Sequence, residues 1–228
     1  MKCIYWNIRG LANSPSRLPL KRFITQHKLE IILIDEPWMK YSSFPSTWLH
    51  GLGLKTFAFN NRGNLEPNLW CICSHHLNLV IIDPDSQHVS FTISENNITF
   101  GICAIYASTN YITRRNLWNK LSFKQSNHNF RWCFLGDFNT ILGAHEYRGH
   151  HAPARIPMDD FRHWSESNQL IHLPTRRSLF TWSNRRGGIV YPEKRLDKTI
   201  CSQHGWTCAP QFRVPLYLDV VQTTPLCS

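Results

Sequence analysis

The chain has 228 residues, of which 42% are hydrophobic and 13% aromatic, and its formal net charge is +10. Such a chain can bury a substantial core, so its composition excludes a disordered low-complexity protein. Its apolar runs are far shorter than the roughly 20 residues that cross a bilayer, which excludes a transmembrane helix. The excess of positive charge favours polyanionic partners, with nucleic acid the first choice.

The pattern of apolar runs and turn signals predicts short strands interrupted by a few helices. We predict strands at 2–7, 30–36, 55–59, 68–74, 78–83, 87–94, 98–106 and 131–136, and helices at 18–28, 112–123 and 158–168. Three further short strands, at 179–183, 189–191 and 195–200, form a basic hairpin region. Because hairpin and crossover connections are mixed, we expect a single α/β (α+β) domain over residues 1–228, with packed sheets covered by helices.

Three predicted strands end in a polar side chain that can serve chemistry. Asn7, Glu36 and Asp137 each follow an apolar strand. Ligands bind α/β sheets at the rim where the carboxyl ends of strands meet, so we expect these three side chains to converge.

The segment Gly136–Asn139 carries the strongest local signal. Gly136 allows the backbone to turn and approach a ligand. Asp137 and Asn139 flank one residue, so an extended backbone would point both side chains to the same face, where they could orient a water beside a phosphate. The alternative is an ordinary strand-to-loop turn, for which Gly, Asp and Asn are common residues.

Other segments form an ordered set with this one. They are Trp6–Leu11 (WNIRGL), Ile34–Glu36 (IDE), Tyr106 with Arg114–Trp118, Phe180–Asn184 (FTWSN) and Arg195–Lys198 (RLDK). In wording and order the set resembles the endonuclease/exonuclease/phosphatase (DNase I-like) superfamily. Among its branches it is most similar to the endonuclease domain of plant LINE-type non-LTR retrotransposons. The resemblance extends from Lys2 to about Trp206.

The resemblance implies a four-layer α/β sandwich that hydrolyses phosphodiesters of duplex DNA with Mg²⁺, for which Mn²⁺ is an alternative. Glu36 matches the metal-binding carboxylate of the family, and Asn7 would lie beside it against metal or phosphate. A hard cation with oxygen ligands neutralises the charge of an anionic phosphodiester, which makes this assignment chemically coherent.

The same resemblance assigns roles to five other residues. Tyr106 would donate a hydrogen bond to the scissile phosphate, and Asp137 with Asn139 would position the phosphate and the attacking water. Asp197 matches the carboxylate that orients a catalytic His, and Thr181 matches a position that lines the DNA groove.

The sequence departs from the family at its C-terminal motif. The family ends in Ser-Asp-His-x-Pro-Leu, whereas this chain has Val221–Leu226, with Gln222 in place of the Asp and Thr223 in place of the His. Gln carries no charge and Thr does not accept a proton near neutral pH. We therefore expect weak or absent turnover, so whether the chain is an active enzyme stays open.

Basic side chains surround the hairpin region. Arg176, Arg177, Arg185 and Arg186 have aromatic neighbours, and their functional interpretation is contact with DNA phosphates. The alternative is a solvated, charged turn. We expect a DNA duplex as partner, no membrane, no obligate protein partner and a monomer.

Two alternative functions stay open beside a slow endonuclease. One is a non-catalytic DNA- or RNA-binding module, and the other is a phosphatase of the same superfamily acting on small phosphates. The apolar start of the chain is interrupted by Asn7 and Arg9, so no secretion signal is predicted and we expect a nuclear or cytoplasmic protein. In such a compartment Cys residues within strands are free, buried thiols.

Overall fold

Short runs of Ile, Val, Leu, Phe and Cys form the strands of two large sheets. The structure, a computed structural model, describes residues 1–12, 14–95, 97–174, 179–184 and 191–203. Its strands are β1 (Cys3–Asn7), β2 (Ile31–Asp35), β3 (Leu54–Phe59), β4 (Leu69–Ser74), β5 (Val80–Pro84), β6 (His88–Glu95), β7 (Ile98–Tyr106), β8 (Arg131–Asp137), β9 (Tyr147–Arg148), β10 (Leu170–His172), β11 (Trp182–Ser183), β12 (Glu193–Lys194) and β13 (Asp197–Ser202).

Both large sheets are mixed. The first has the strand order β1-β2-β4-β3, and the second has the order β10-β13-β8-β7-β6-β5. In each, one pair is parallel, β1 with β2 at the edge of the first sheet and β7 with β8 within the second, and the neighbouring pairs are antiparallel. A parallel pair needs a crossover connection, which the helices α1 (Ser14–His27) and α3 (Tyr111–Asn127) provide.

Three apolar clusters divide the molecule into four layers. One cluster fills the space between the two sheets and contains Tyr5, Leu33 and Leu135. A second packs the outer face of the first sheet against α1 and the short helix α2 (Ser46–His50). The third packs α3 and α4 (Arg155–Ser167) against the outer face of the second sheet. The order helix, sheet, sheet, helix confirms the predicted four-layer α/β sandwich.

A small third sheet lies beside the main sandwich, with the strand order β11-β12-β9. The strand predicted at 179–183 is shorter in the structure, and its partner is at Glu193–Lys194. The partner predicted at 189–191 lies mostly outside the described residues. Strands β9 and β10 and helix α2 were not predicted, because elements of two to five residues carry little periodicity and form through their tertiary partners.

Helix α1 also differs from its predicted start. It begins at Ser14 rather than Leu18, so Pro19 lies beyond the first turn instead of within it. A proline there removes one helical hydrogen bond. Leu20 and Ile24, which are buried against the first sheet, offset that loss by contributing apolar burial.

Six cysteines within the described ranges are free, namely Cys3, Cys71, Cys73, Cys103, Cys133 and Cys201. Burial raises the pKa of the Cys3 and Cys103 thiols to about 12, so both remain protonated at neutral pH. The predicted role of the strand cysteines as small buried hydrophobes is thereby consistent with their environment. No helix in the described part of the chain has the length and apolar character needed to cross a membrane.

Candidate active site

Polar side chains from both sheets meet at one end of the sandwich. Asn7 is the register partner of Asp35 in the first sheet. In the second sheet, Asp137 at the end of β8 lies between Tyr106 and Asp197. Strands β1 and β8 contact each other across the sandwich, so the two groups of strand ends face one another.

One hydrogen bond joins the two sheets directly at this end. The Tyr106 hydroxyl donates to Oε1 of Glu36 at 2.9 Å, although the two residues are 70 positions apart. Burial, followed by the charge of Glu36, raises the pKa of Tyr106 well above its usual value. The phenol therefore stays protonated at neutral pH and is available as a hydrogen-bond donor.

The backbone around the strand ends is strained. Arg9, Glu36, Trp38 and Asn139 all have a left-handed conformation, with φ between 46° and 50°. This region is uncommon for residues other than glycine, and strain of this kind clusters at functional sites. The conformation of Glu36 ends β2 and turns its side chain towards Tyr106 of the other sheet. A hydrogen bond from the Gly10 amide to the Glu36 carbonyl oxygen, at 2.9 Å, ties the two strained loops together.

The Gly136–Asn139 segment forms a turn that needs glycine. Gly136 has φ +146°, and a Cβ there would lie 1.9 Å from the carbonyl oxygen of Ile105 on the parallel neighbour β7. The amide of Asn139 donates to Oδ1 of Asp137 at 2.8 Å, and its side-chain Nδ2 donates to the carbonyl oxygen of Ala107 at 2.7 Å. Asn139 thus lies in a left-handed turn, which corrects the expectation of an extended backbone between Asp137 and Asn139.

Four carboxyl groups are close enough to influence one another. Burial, and then the charge of Asp197, raises the pKa of Asp137 to about 8. Burial also raises the pKa of Asp197 to about 6, although the Thr181 hydroxyl counteracts part of the rise. The pKa of Asp35 is raised well above its usual value by burial and by the charges of Asp197, Asp137 and Glu36. This end of the sandwich therefore disfavours negative charge unless a proton or a cation is present.

Asp35 is a site residue that sequence reasoning missed. It is fully buried, and neither of its carboxyl oxygens makes a well-formed hydrogen bond to a described residue. The Tyr5 hydroxyl lies near enough to lower its pKa slightly. The available signal was strand alternation, because Ile31, Leu33 and Asp35 share one face of β2 and the first two lie in the core between the sheets.

Thr181 positions Asp197. Thr181 is 3% exposed, and its Oγ1 accepts hydrogen bonds from the amides of Leu196 and Asp197 at 2.9 and 3.0 Å. These bonds fix the backbone at the start of β13. Thr181 is therefore a buried residue that holds the backbone of Asp197, and the groove position that the resemblance assigned to it stays a prediction.

A buried ion-pair network also fixes strand β13, which begins at Asp197. Glu146 and Lys198 are each 1% exposed, and Lys198 Nζ lies 3.0 Å from Oε2 of Glu146. Arg195 adds a second cation, with its guanidinium 3.5 Å from Oε1 of Glu146. Oε2 of Glu146 also accepts a hydrogen bond from the Leu142 amide at 2.7 Å, and Lys198 donates to the carbonyl oxygen of Thr140. The network ties the loop that follows Asp137 to the strand that begins at Asp197.

Many late basic residues are already paired within the protein. Arg195 and Lys198 face Glu146, and Arg155 and Arg162 both bond Asp159 on α4. Each of the two carboxylates faces two cations, so the positive charge of these residues is only partly compensated. The four arginines predicted to contact DNA, at 176, 177, 185 and 186, lie outside the described residues.

The oxygen groups at this site suit a magnesium ion chemically. Glu36 is half-buried, and Oδ1 of Asn7 is buried without a hydrogen-bond partner among the described residues. Mg²⁺ prefers oxygen ligands, and it needs only one or two carboxylates because waters and substrate phosphates supply the rest. Across the described ranges, no three His, Cys, Asp or Glu side chains are grouped as a metal cage.

Comparisons with known proteins agree with this architecture. The sequence profile of the Endonuclease/Exonuclease/phosphatase family matches residues 4–220. No curated protein sequence matches the chain.

Solved structures share the fold at low sequence identity. The endonuclease domain of TRAS1, a telomere-specific non-LTR retrotransposon, is 16% identical, with a TM-score of 0.67 over 88% of this chain and 85% of its own. The 3' phosphatase NExo from Neisseria, bound to a product DNA hairpin, is 16% identical, with a TM-score of 0.62 over 88% and 86%. An AP endonuclease from Archaeoglobus fulgidus is 15% identical, with a TM-score of 0.61 over 87% and 86%.

Proposed function

The chain belongs to the Endonuclease/Exonuclease/phosphatase family, and from this premise we propose that it is a Mg²⁺-dependent endonuclease-like domain of a plant LINE-type retrotransposon, with slow turnover. Its ancestral reaction is the nicking of DNA for target-primed reverse transcription. The observation that carries this proposal is the meeting of Asn7, Glu36, Tyr106, Asp137 and Asp197 at the facing strand ends of the two sheets. On this proposal the domain works as a monomer in the nucleus or cytoplasm.

Each of these side chains has a chemical task in the proposed reaction. Glu36 and Asn7 would hold Mg²⁺, which when bound stabilises negative charge on the phosphate oxygens. The Tyr106 hydroxyl, whose partner is now Glu36, donates to a phosphate oxygen. Asp137 and Asn139 orient the attacking water, and the turn between them limits their movement.

Slow turnover follows from the C-terminal motif, which lies outside the described residues. With Thr223 in place of the family's His, no imidazole is available at that position to handle the proton of the reaction. With Gln222 in place of its Asp, a negative charge is missing as well. Asp197 then has no His to orient, and it acts as an additional negative charge beside Asp137.

Duplex DNA is the proposed substrate. The support is the net charge of +10 and the four arginines Arg176, Arg177, Arg185 and Arg186, which flank strand β11 in the sequence. Arg148, Arg195 and Lys198 of the described part form ion pairs within the protein, so these four arginines are the main candidates for phosphate contacts. Further support comes from two structural neighbours, a retrotransposon endonuclease domain and a phosphatase bound to a DNA hairpin.

A second candidate function is favoured by one specific observation. Because Gln222 and Thr223 replace the family's Asp and His, the chain could bind nucleic acid without cleaving it. A phosphatase acting on small phosphates is the third candidate, and the arginine-rich hairpin argues against it, since a small phosphate does not need such an extended basic surface.

One set of assays separates these functions. Supercoiled plasmid is incubated with the protein and Mg²⁺, a filter-binding titration uses the same DNA, and phosphate release is followed from inositol phosphates. We expect binding together with slow nicking that EDTA abolishes. Binding without any nicking would replace the proposal by a non-catalytic module, and phosphate release without DNA binding would replace it by a phosphatase.

A further inference from the structure

Two buried polar side chains beneath the proposed active site have oxygen atoms without partners. Both carboxyl oxygens of Asp35 and Oδ1 of Asn7 make no well-formed hydrogen bond to any described residue. The two residues are direct register partners on the parallel strands β1 and β2. Adjacent strands are about 4.8 Å apart, so their side chains are neighbours on one face. That face is the inner one, because Tyr5 and Leu33, two positions earlier, lie in the core between the sheets.

Among the described residues, acidic groups dominate the electrostatic surroundings of Asp35. The charged groups that act most strongly on it are Asp197, Asp137 and Glu36, all of them acids. The Tyr5 hydroxyl is the polar group that favours its ionised form. An ionised carboxylate buried in such a place is costly unless it is paired or coordinates a metal. The fold therefore tolerates Asp35 either as a neutral acid or as part of a cation site.

The position of Glu36 favours the cation site. Consecutive residues of a strand point to opposite faces, but the left-handed backbone at Glu36 ends the strand. Its carboxylate reaches Tyr106 of the second sheet, across the inner space that Asp35 also faces. Asp35 and Glu36, although adjacent in sequence, thus both lie towards the gap between the sheets, with Asn7 beside Asp35.

We propose that Asp35 is a second carboxylate ligand for the divalent cation, in addition to Glu36. Asp35 and Asn7 would contact the cation from the space between the sheets, and we call these two residues the inner seat. The inference rests on the proposed function in that it concerns the same cation. It gives the site the two carboxylates that Mg²⁺ sites use, with waters and phosphate completing the shell. It also adds a negative charge to a site whose C-terminal motif has Gln222 in place of the family's Asp.

The test measures cation binding in the absence of DNA. Mn²⁺ binding is followed by electron paramagnetic resonance and by calorimetry on the intact chain, for the unmodified protein and for Asp35→Asn. The matched control is Asp159→Asn, which removes an exposed carboxylate on α4. We expect Asp35→Asn to weaken Mn²⁺ binding at least tenfold and Asp159→Asn to leave it within twofold.

A second variant and a thermal unfolding measurement distinguish the loss of a cation ligand from misfolding of Asp35→Asn. Asn7→Ala removes the other oxygen of the seat and is also expected to weaken Mn²⁺ binding. In EDTA, Asp35→Asn should unfold at a temperature no lower than that of the unmodified protein, which shows that the variant folds, and it should lose the upward shift that Mn²⁺ produces.

Each outcome decides the inference separately from the proposed function. Equal Mn²⁺ affinity of Asp35→Asn and the unmodified protein overturns the inference, as does the absence of Mn²⁺ binding by the unmodified protein. Plasmid nicking is measured on the same samples. If Asp35→Asn weakens Mn²⁺ binding but the unmodified chain never nicks DNA, the inference stands and the proposed function fails.

Discussion

Replacing Asp137 by Asn should stabilise the protein at neutral pH when divalent cations are absent. The folded state raises the pKa of Asp137 from 3.8 to about 8, because the carboxyl group is buried next to Asp197. A raised pKa means that the folded state favours the protonated form. The stability linked to that proton is fully present below about pH 4 and is lost as the pH rises towards 8.

The magnitude follows from the shift. At pH 6 the carboxyl group would be ionised in the unfolded chain and protonated in the folded one. This pH lies about two units above the pKa of the group in the unfolded chain. At 1.36 kcal/mol per unit this costs the fold about 3 kcal/mol, and the cost grows towards pH 8. An Asn side chain avoids the cost, and its Oδ1 can still accept the hydrogen bond from the Asn139 amide.

Urea unfolding in EDTA at pH 4.5, 6 and 7.5 measures the effect. The unmodified protein and Asp137→Asn are compared at each pH, so that groups that do not interact with Asp137 cancel. The variant should be more stable by only about 1 kcal/mol at pH 4.5, and the margin should widen with pH. Saturating Mg²⁺ should narrow that margin. A variant that is less stable at pH 7.5, or a difference independent of pH, would refute the electrostatic reasoning.

Three other predictions concern the turn, the buried ion pair and the hairpin. Gly136→Ala should lower the free energy of unfolding by about 3 kcal/mol or more in urea, because the added Cβ meets a carbonyl oxygen at 1.9 Å in a backbone conformation reserved for glycine. Glu146→Gln should cost about 3–5 kcal/mol in the same assay, because it leaves the Lys198 ammonium buried without its counter-ion, whereas a cost below 1 kcal/mol would contradict a buried pair. Arg185→Ala with Arg186→Ala should weaken duplex binding on every sequence and reduce the salt slope by about 1 per lost phosphate contact, as measured by filter binding at several salt concentrations.

The strand framework was largely predictable because hydrophobic runs with clear ends are local signals. The strand predicted at 98–106 is observed as Ile98–Tyr106. The first strand begins one residue later than predicted, and the second is one residue shorter at each end. The polar residues at the ends of these strands could also be identified from the sequence, because each follows directly after an apolar run. The meeting of Glu36 and Tyr106 was expected only through the resemblance, since a contact over 70 positions leaves no local pattern.

The roles of several charged residues could not be predicted, because they depend on distant partners. In sequence, Lys198 looks like part of a basic surface, but in the fold it is buried against Glu146. Asp35 looks like a second exposed acid beside Glu36, but the strand directs it into the space between the sheets. Thr181 resembles a groove residue, while its hydroxyl binds the backbone of Asp197. In each case the tertiary partner determines the function of the side chain.

The central claim is that the acidic strand ends form a phosphodiesterase site that lacks its last motif. The most direct test is the rate of supercoiled plasmid nicking in Mg²⁺ by the unmodified chain and by the double variant Gln222→Asp and Thr223→His, each with and without Asp137→Ala. We predict slow nicking by the unmodified chain, a rate at least tenfold higher for the restored motif, and loss of both on adding Asp137→Ala. If the restored motif nicks no faster, or if nicking survives Asp137→Ala, the account of this site is contradicted.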